Sequence, residues 1–258
     1  MRVAREGIPF VLGFLVAGGT TSLALAIPIG AGGAASLLIP SPLYGLALFS
    51  LWFFRDPERE VPAGPGVVVS PADGKVVALT EDAEGPSIAI FLSVFDVHVN
   101  RAPIAGRVET VAYRPGSFRA AFDEAAGEIN ERNEIVIAGE TGRVRVRQIA
   151  GLIARRIVCR VAVGDRLEAG QRFGMIRFGS RTDLRLPPGS AVQVGLGDRV
   201  RGGESVVGRL ASAAERAGST AGVAPSPGSS ESGAEAGGLA ADERGVPAAS
   251  ALRERRLT

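Results

Sequence analysis

The sequence predicts a mainly β domain carried behind an apolar helical hairpin and followed by a disordered tail. Three observations point there. No charged residue stands between Glu6 and Arg55. From Val61 to about Leu210 the chain breaks into short runs of period-two alternation, separated by Gly, Pro and Asp. Beyond Leu210 it is Ala, Gly, Ser, Glu and Pro with few large apolar residues, too little to offset chain entropy. The expected units are therefore 1–54, 55–210 and 211–258.

In the first unit, Ile8 to Ile29 is long enough to cross a bilayer, at about 1.5 Å per residue against a core of about 30 Å. A secretory signal would have a shorter apolar stretch and a small-residue cleavage site. Gly30 to Gly33 reads as a turn, and Ala34 to Phe54 as a second apolar segment. Pro40 and Pro42 shorten or kink that segment, so one re-entrant hairpin and two full spans both remain open. A buried core hairpin is the soluble alternative. Arg2 and Arg5 flank the start and Arg55 and Arg59 the end, which puts both ends on the cytoplasmic side of a cell membrane. Trp52, Phe53 and Phe54 then sit at headgroup level, and Arg55 to Arg59 reads first as a juxtamembrane boundary, with simple interfacial charge and a catalytic part equally open.

In the second unit Val67–Val69, Lys75–Ala78, Ser87–Leu92, Arg107–Tyr113, Glu134–Ala138, Arg143–Ile149 and Arg156–Val163 read as strands. Phe118 to Arg132 is a polar insertion that reads as either a helical turn or a mobile loop. Two internal echoes refine the picture. Gly164-Asp165-Arg166-Leu167 returns as Gly197-Asp198-Arg199-Val200, and Ser70-Pro71-Ala72-Asp73-Gly74-Lys75-Val76 is matched by Ala102-Pro103-Ile104-Ala105-Gly106-Arg107-Val108. A Gly-Asp turn before one strand and a Pro-x-x-Gly turn before another resemble lipoyl- and biotinyl-type barrel sandwiches.

Composition removes several functions. The net charge of +2 averages unlike segments and points to no nucleic-acid partner. Cys159 is the only cysteine, in an apolar alternation that suggests an inert buried thiol, so neither an intramolecular disulfide nor a multi-cysteine metal site is expected. His98 is the only histidine, which argues against a zinc hydrolase and leaves no expected metal site. Lys75 is the only lysine, and no phosphate-cradling pattern accompanies it as a cofactor-bearing lysine would require.

The chemistry gathers around Arg177-Phe178-Gly179-Ser180-Arg181-Thr182-Asp183-Leu184. Gly-Ser alone is a poor clue, since it recurs at 116–117, 189–190, 218–219 and 228–229. It gains weight from Ser70-Pro71-Ala72-Asp73-Gly74-Lys75-Val76, from Phe91-Leu92-Ser93-Val94-Phe95-Asp96-Val97-His98-Val99-Asn100-Arg101-Ala102-Pro103, and from Gln148-Ile149-Ala150-Gly151-Leu152-Ile153-Ala154-Arg155-Arg156. In that order these resemble the phosphatidylserine decarboxylase proenzymes of the short bacterial and archaeal type.

The resemblance implies that the protein makes its own electron sink. Ser180 Oγ attacks the Gly179 carbonyl, the ester so formed eliminates to a Gly179 carboxylate and a dehydroalanine, and hydrolysis of that residue by one water with loss of ammonia leaves a pyruvoyl group at residue 180. Glycine before the serine removes a Cβ from the path of attack. The chain then exists as two pieces, 1–179 and 180–258, acting on phosphatidylserine in the membrane to release phosphatidylethanolamine. His98 is the candidate base and acid, oriented by Asp73 if the fold brings them together; whether it serves both self-cleavage and decarboxylation, or Asp73 activates Ser180 by another path, stays open. Asn100, Arg114 and Arg181 are weaker candidates for holding the substrate phosphate or carboxylate. Longer relatives carry a second histidine where Arg101 stands, and Leu-Gly-Ser-Thr where this chain has Phe178-Gly179-Ser180-Arg181. The competing reading is a non-catalytic membrane-anchored adaptor or carrier on a lipoyl-like barrel, and the sequence leaves a homo-oligomer open.

Overall fold

The computed structural model describes residues 2–29, 34–119, 126–152, 156–177 and 180–211. Gly179, the Gly30–Gly33 turn and all of the expected tail but Ala211 lie outside them.

A 3-10 turn (Arg5–Gly7) leads into α1 (Ile8–Ile29). The one-turn α2 (Ala35–Leu38) and α3 (Ser41–Phe53) make up the second apolar segment. α3 starts where the prolines allow, with Pro40 at its N-cap and Pro42 in its first turn, where a missing N–H costs nothing. Arg5–Ile27 and Ser36–Phe53 are each long and apolar enough to cross a membrane. Leu12, Val16, Leu23 and Leu48 face outward. Hydroxyls inside these helices bond back to their own backbone, Thr21 to the Ala17 carbonyl (2.8 Å) and Ser50 to that of Leu46 (2.8 Å). Ser22 and Tyr44 meet across the pair at 3.1 Å.

Arg2–Val3 (β1) pairs with Arg55–Asp56 (β2), tying the start of α1 to the end of α3. The β domain follows as β3 (Val67–Val69), β4 (Gly74–Asp82), β5 (Gly85–Leu92), β6 (Val99–Arg101) and β7 (Gly106–Arg114). Among the described residues of the polar insertion, a single helical turn, α4 (Ala126–Ile129), is one of the two forms expected there. Then come β8 (Arg132–Gly139), β9 (Gly142–Ile149), β10 (Ile157–Cys159), β11 (Arg166–Leu167), β12 (Arg172–Ile176), β13 (Ser180–Arg185), β14 (Ala191–Val192), β15 (Arg199–Val200) and β16 (Val206–Arg209). All seven expected runs contain strand. The run from Arg156 to Val163 is shorter than expected, and β10 is an edge strand, so Cys159 is half-buried rather than sealed in the core.

An eight-stranded sheet, ordered β11-β7-β8-β9-β13-β5-β4-β15, curls into a half-barrel. Two three-stranded sheets, β10-β12-β6 and β14-β16-β3, complete the domain. Ile88, Ile90 and Leu92 of β5, Ile135 and Ile137 of β8, Val146 of β9 and Leu184 of β13 are fully buried in one core. Register shifts bend β4 at Val76/Ala78 and β7 at Val108/Thr110.

The two echoes in sequence are one echo in space. β15 pairs with β4 on one edge of the large sheet, and β11 pairs with β7 on the other. Gly197 N donates to Val76 O and Gly164 N to Val108 O; Gly203 N donates to Ser70 O and Gly170 N to Ala102 O. The Asp carboxylate in each Gly-Asp turn caps the backbone three residues back, Asp198 at Gly195 and Asp165 at Ala162.

Candidate active site

Ser180 opens β13, the strand between β5 and β9, and faces Leu92, the last residue of β5. The chain leaves Leu92 through Ser93–Val97 and reaches His98, whose carbonyl accepts from Ile176 N at 3.3 Å. Ser180 and His98 thus sit on one ring of backbone, formed by the turn after β5 and the passage from β12 to β13. Strand alternation puts Ser180, Thr182 and Leu184 on the inner face, and all three are 0% exposed. Ser180 Oγ has no hydrogen-bond partner among the described residues. A buried hydroxyl left unsatisfied costs about 1–3 kcal/mol, so the fold keeps this one at a cost.

His98 is also fully buried, its ring against Phe53 of α3 with centroids 4.4 Å apart. Its Nδ1 lies 2.9 Å from the Asp96 carbonyl. Donation there fixes the tautomer and puts the lone pair on Nε2. Burial pushes the imidazole pKa down to about 4; the Arg55 charge lowers it too, against the opposing pull of Asp96. His98 is therefore neutral at pH 7.

Asp73 comes to the same end of the sheet, two residues before Lys75, which pairs with Phe91. A Cβ on Gly74 would run into the Phe91 carbonyl, so only glycine lets this turn close beside Leu92. The expected bond from Asp73 to His98 is replaced by two others. Asp73 accepts from Arg59 Nη2 (2.6 Å) and from Gly202 N (2.7 Å), while the Asp96 carbonyl orients His98. Burial raises the Asp73 pKa against the lowering effect of Arg59. Arg59 also binds Glu204 at 2.7 Å.

The weaker candidates separate. Arg181 lies on the outer face, bound through two nitrogens to Asp183 (2.6 and 3.1 Å). Arg114 is exposed at the end of β7, three strands from β13 and so roughly 14 Å away at about 4.8 Å per strand. Asn100 is fully buried in a polar chain: Asn133 Nδ2 donates to Gln148 Oε1 (3.0 Å), Gln148 Nε2 to Asn100 Oδ1 (2.9 Å), and Asn100 Nδ2 to Thr182 Oγ1 (3.1 Å). These bonds join β8, β9, β6 and β13, holding the strand that begins at Ser180 and the strand that follows His98. Gln148→Leu would orphan an acceptor on Asn100 and a donor on Asn133. A loss of about 3 kcal/mol is expected, read as a lowered thermal midpoint in detergent.

The run from Arg55 to Arg59 proves to be part of this framework. Asp56 is buried between Arg101 (2.9 Å) and Arg172 (2.5 Å), and Arg101 also donates to the carbonyls of Pro57 and Gly170. Arg101, standing where longer relatives have histidine, ties β6 to the chain leaving α3. Arg55 donates to the Phe95 carbonyl in the turn before His98 (2.7 Å). Sequence reasoning placed Phe53 and Arg55 to Arg59 at the interface but missed their contact with His98 and Asp73. Their position directly after the apolar segment was the only signal. Among the described residues no group of three or more His, Cys, Asp or Glu is placed to hold a metal.

The family model described as phosphatidylserine decarboxylase matches residues 46–208, from within α3 to β16. The phosphatidylserine decarboxylase proenzyme of Symbiobacterium thermophilum is 52% identical over 217 residues, covering 81% of this chain and 95% of that protein. Proenzymes of the same description from Desulfotalea psychrophila and Syntrophus aciditrophicus are each 44% identical, over 216 and 214 residues. Those alignments cover 81% and 80% of this chain and 96% of each relative. The match runs through Asp73, His98 and Ser180 together with the clasp that joins them to the apolar helices, and on that extent the chain belongs to the phosphatidylserine decarboxylase family.

Proposed function

We propose that this chain is a proenzyme that cuts itself between Gly179 and Ser180 and then converts phosphatidylserine to phosphatidylethanolamine in phospholipid biosynthesis. The observation that carries this is the Ser180 hydroxyl, sealed from solvent, unpartnered among the described residues, and on the same backbone ring as a neutral histidine. Among the described residues nothing competes for the Oγ lone pairs, and burial keeps bulk solvent from an attack on the preceding carbonyl.

The residues fit a pyruvoyl group derived from Ser180, because the buried, dry position of that side chain suits an electron-withdrawing carbonyl. Once formed, that group supplies the sink for the electrons left when carbon dioxide departs. His98 Nε2 takes the Ser180 proton during cleavage. A nitrogen with a pKa of about 4 is a weak base and, once protonated, a strong acid. It therefore returns a proton readily, to the substrate carbon that loses its carboxylate. Asp73 acts as a positioning group, holding the turn beside Leu92 through Arg59 and Gly202 rather than touching His98. In the uncut chain Ser180 and His98 are both closed off, so the headgroup enters after the backbone is cut.

The two pieces, 1–179 and 180–258, stay together because β13 is paired on both sides by strands of the other piece. The paired echoes support a barrel sandwich of lipoyl type. Arg2, Arg5, Arg55 and Arg59 support two helices inserted from the cytoplasmic face of the cell membrane, with the domain on that side. A carrier would need a lysine at a hairpin tip, whereas Lys75 stands second in a nine-residue strand. Intact-mass measurement of purified protein tests the proposal. Two fragments are expected, the smaller starting with a carbonyl-bearing residue 180; one uncut chain from active membranes would rule it out.

A further inference from the structure

Arg177 lies three residues before Ser180, just past β12, and its Nε is buried without a hydrogen-bond partner among the described residues. Its guanidinium stands over Phe10, in the first turn of α1, at 5.4 Å. From there an aromatic row leads to the active site: Phe10 stacks on Phe54 (5.5 Å), Phe54 meets Phe53 edge-on (5.0 Å), and Phe53 covers His98 (4.4 Å). Arg177 and His98 thus occupy the two ends of one aromatic floor where the apolar helices leave the bilayer.

Arg156 is exposed beside Arg177, its carbonyl accepting from Arg177 N at 3.4 Å. Glu6 is the carboxylate that faces this group, and it is already bound by Arg160 through both of its oxygens. Arg160 and Arg177 therefore share one carboxylate, and Arg156 adds a further positive charge beside Arg177. Burial and the repulsion of Arg156 both lower the Arg177 pKa, while Glu6 opposes them. The position, the missing counter-charge and the forked donors suit a phosphate diester at headgroup level.

We propose that Arg177 and Arg156 receive the phosphodiester of the lipid substrate, a role that rests on the decarboxylase reading above. In a serine phospholipid an oxygen and a methylene separate the phosphorus from the amine-bearing carbon. Three residues of extended chain span at most about 10 Å, so a lipid whose amine reaches residue 180 can bring its phosphate to Arg177. Among the described residues neither arginine has an ion-paired carboxylate within salt-bridge distance to give up for this. Arg181 and Asn100 would have to break hydrogen bonds they already make.

The test uses mature, cleaved enzyme in a neutral detergent, with dihexanoyl phosphatidylserine and the phosphate-free O-octyl-L-serine as paired substrates. Arg177→Ala and Arg156→Ala are each expected to lower kcat/KM for the phospholipid about 10- to 100-fold more than for the ether, as charge-assisted hydrogen bonds predict. The Kd for dihexanoyl phosphatidylethanolamine, read by phosphorus NMR, should rise by a similar factor. Equal losses on both substrates, or an unchanged Kd, would overturn the assignment. So would a defect that appears only when phosphatidylglycerol is added, since the arginines would then serve the membrane surface and not the substrate. If wild-type enzyme releases no carbon dioxide from phosphatidylserine, it is the decarboxylase reading that falls.

Discussion

Ser180→Ala is expected to leave the chain whole and without measurable decarboxylation, a loss of at least about 10⁶-fold. The variant lacks both the nucleophile that would cut the backbone and the atoms from which the electron sink is made, so no partial activity survives through another route. The same change is expected to stabilise the fold. Ser180 Oγ is buried with no partner among the described residues, and alanine removes that unsatisfied group while leaving the β5-β13-β9 pairing intact. A gain of about 1 kcal/mol is expected, visible as a higher thermal midpoint of the uncut variant against uncut wild type trapped early in expression. An inactive but destabilised Ser180→Ala protein would mean the hydroxyl has a structural partner after all.

His98→Gln is expected to lower the decarboxylation rate of pre-cleaved enzyme about 10²- to 10⁴-fold, the usual contribution of a positioned acid–base group. Comparing the cleaved fraction with the turnover of that fraction separates a maturation defect from a chemical one. The substitution also has a signature in stability. The imidazole pKa is about 4 in the folded chain, below its ordinary 6.5, so between those values the unfolded chain binds the extra proton. Stability is then full above about pH 6.5 and is lost as the pH falls toward 4, by on the order of 3 kcal/mol. His98→Gln should flatten that part of the pH–stability curve. A variant as acid-sensitive as wild type across this window would show that His98 is solvated rather than sealed under Phe53.

The sequence was least informative where side chains from distant segments share one site. Asp73 and His98 were legible as candidates because each stands in a dense motif. Their expected partnership was not realised, because Arg59, 14 residues before Asp73, claims the carboxylate first. Asn100, two residues after His98, read as a weak candidate for holding the substrate. In three dimensions strand alternation turns it inward, where Thr182 and Gln148 hold it. Arg177 opened the Gly-Ser motif without a role of its own, since an arginine there has no distinguishing pattern until Phe10 and Arg156 are seen beside it.

What the sequence determined by itself follows from short-range physics. Forty-eight uncharged positions are long enough for two apolar helices, the prolines set where the second helix starts, and period-two runs between Gly, Pro and Asp become strands. The paired Gly-Asp and Pro-x-x-Gly turns likewise carry their own geometry. Tertiary structure alone decided that the echoes lie on opposite edges of one sheet, that the end of the apolar hairpin roofs His98, and that Ser180 is left without a hydrogen-bond partner among the described residues. Those outcomes depend on which buried donors and acceptors meet across the chain, and a linear pattern does not encode the competition among them.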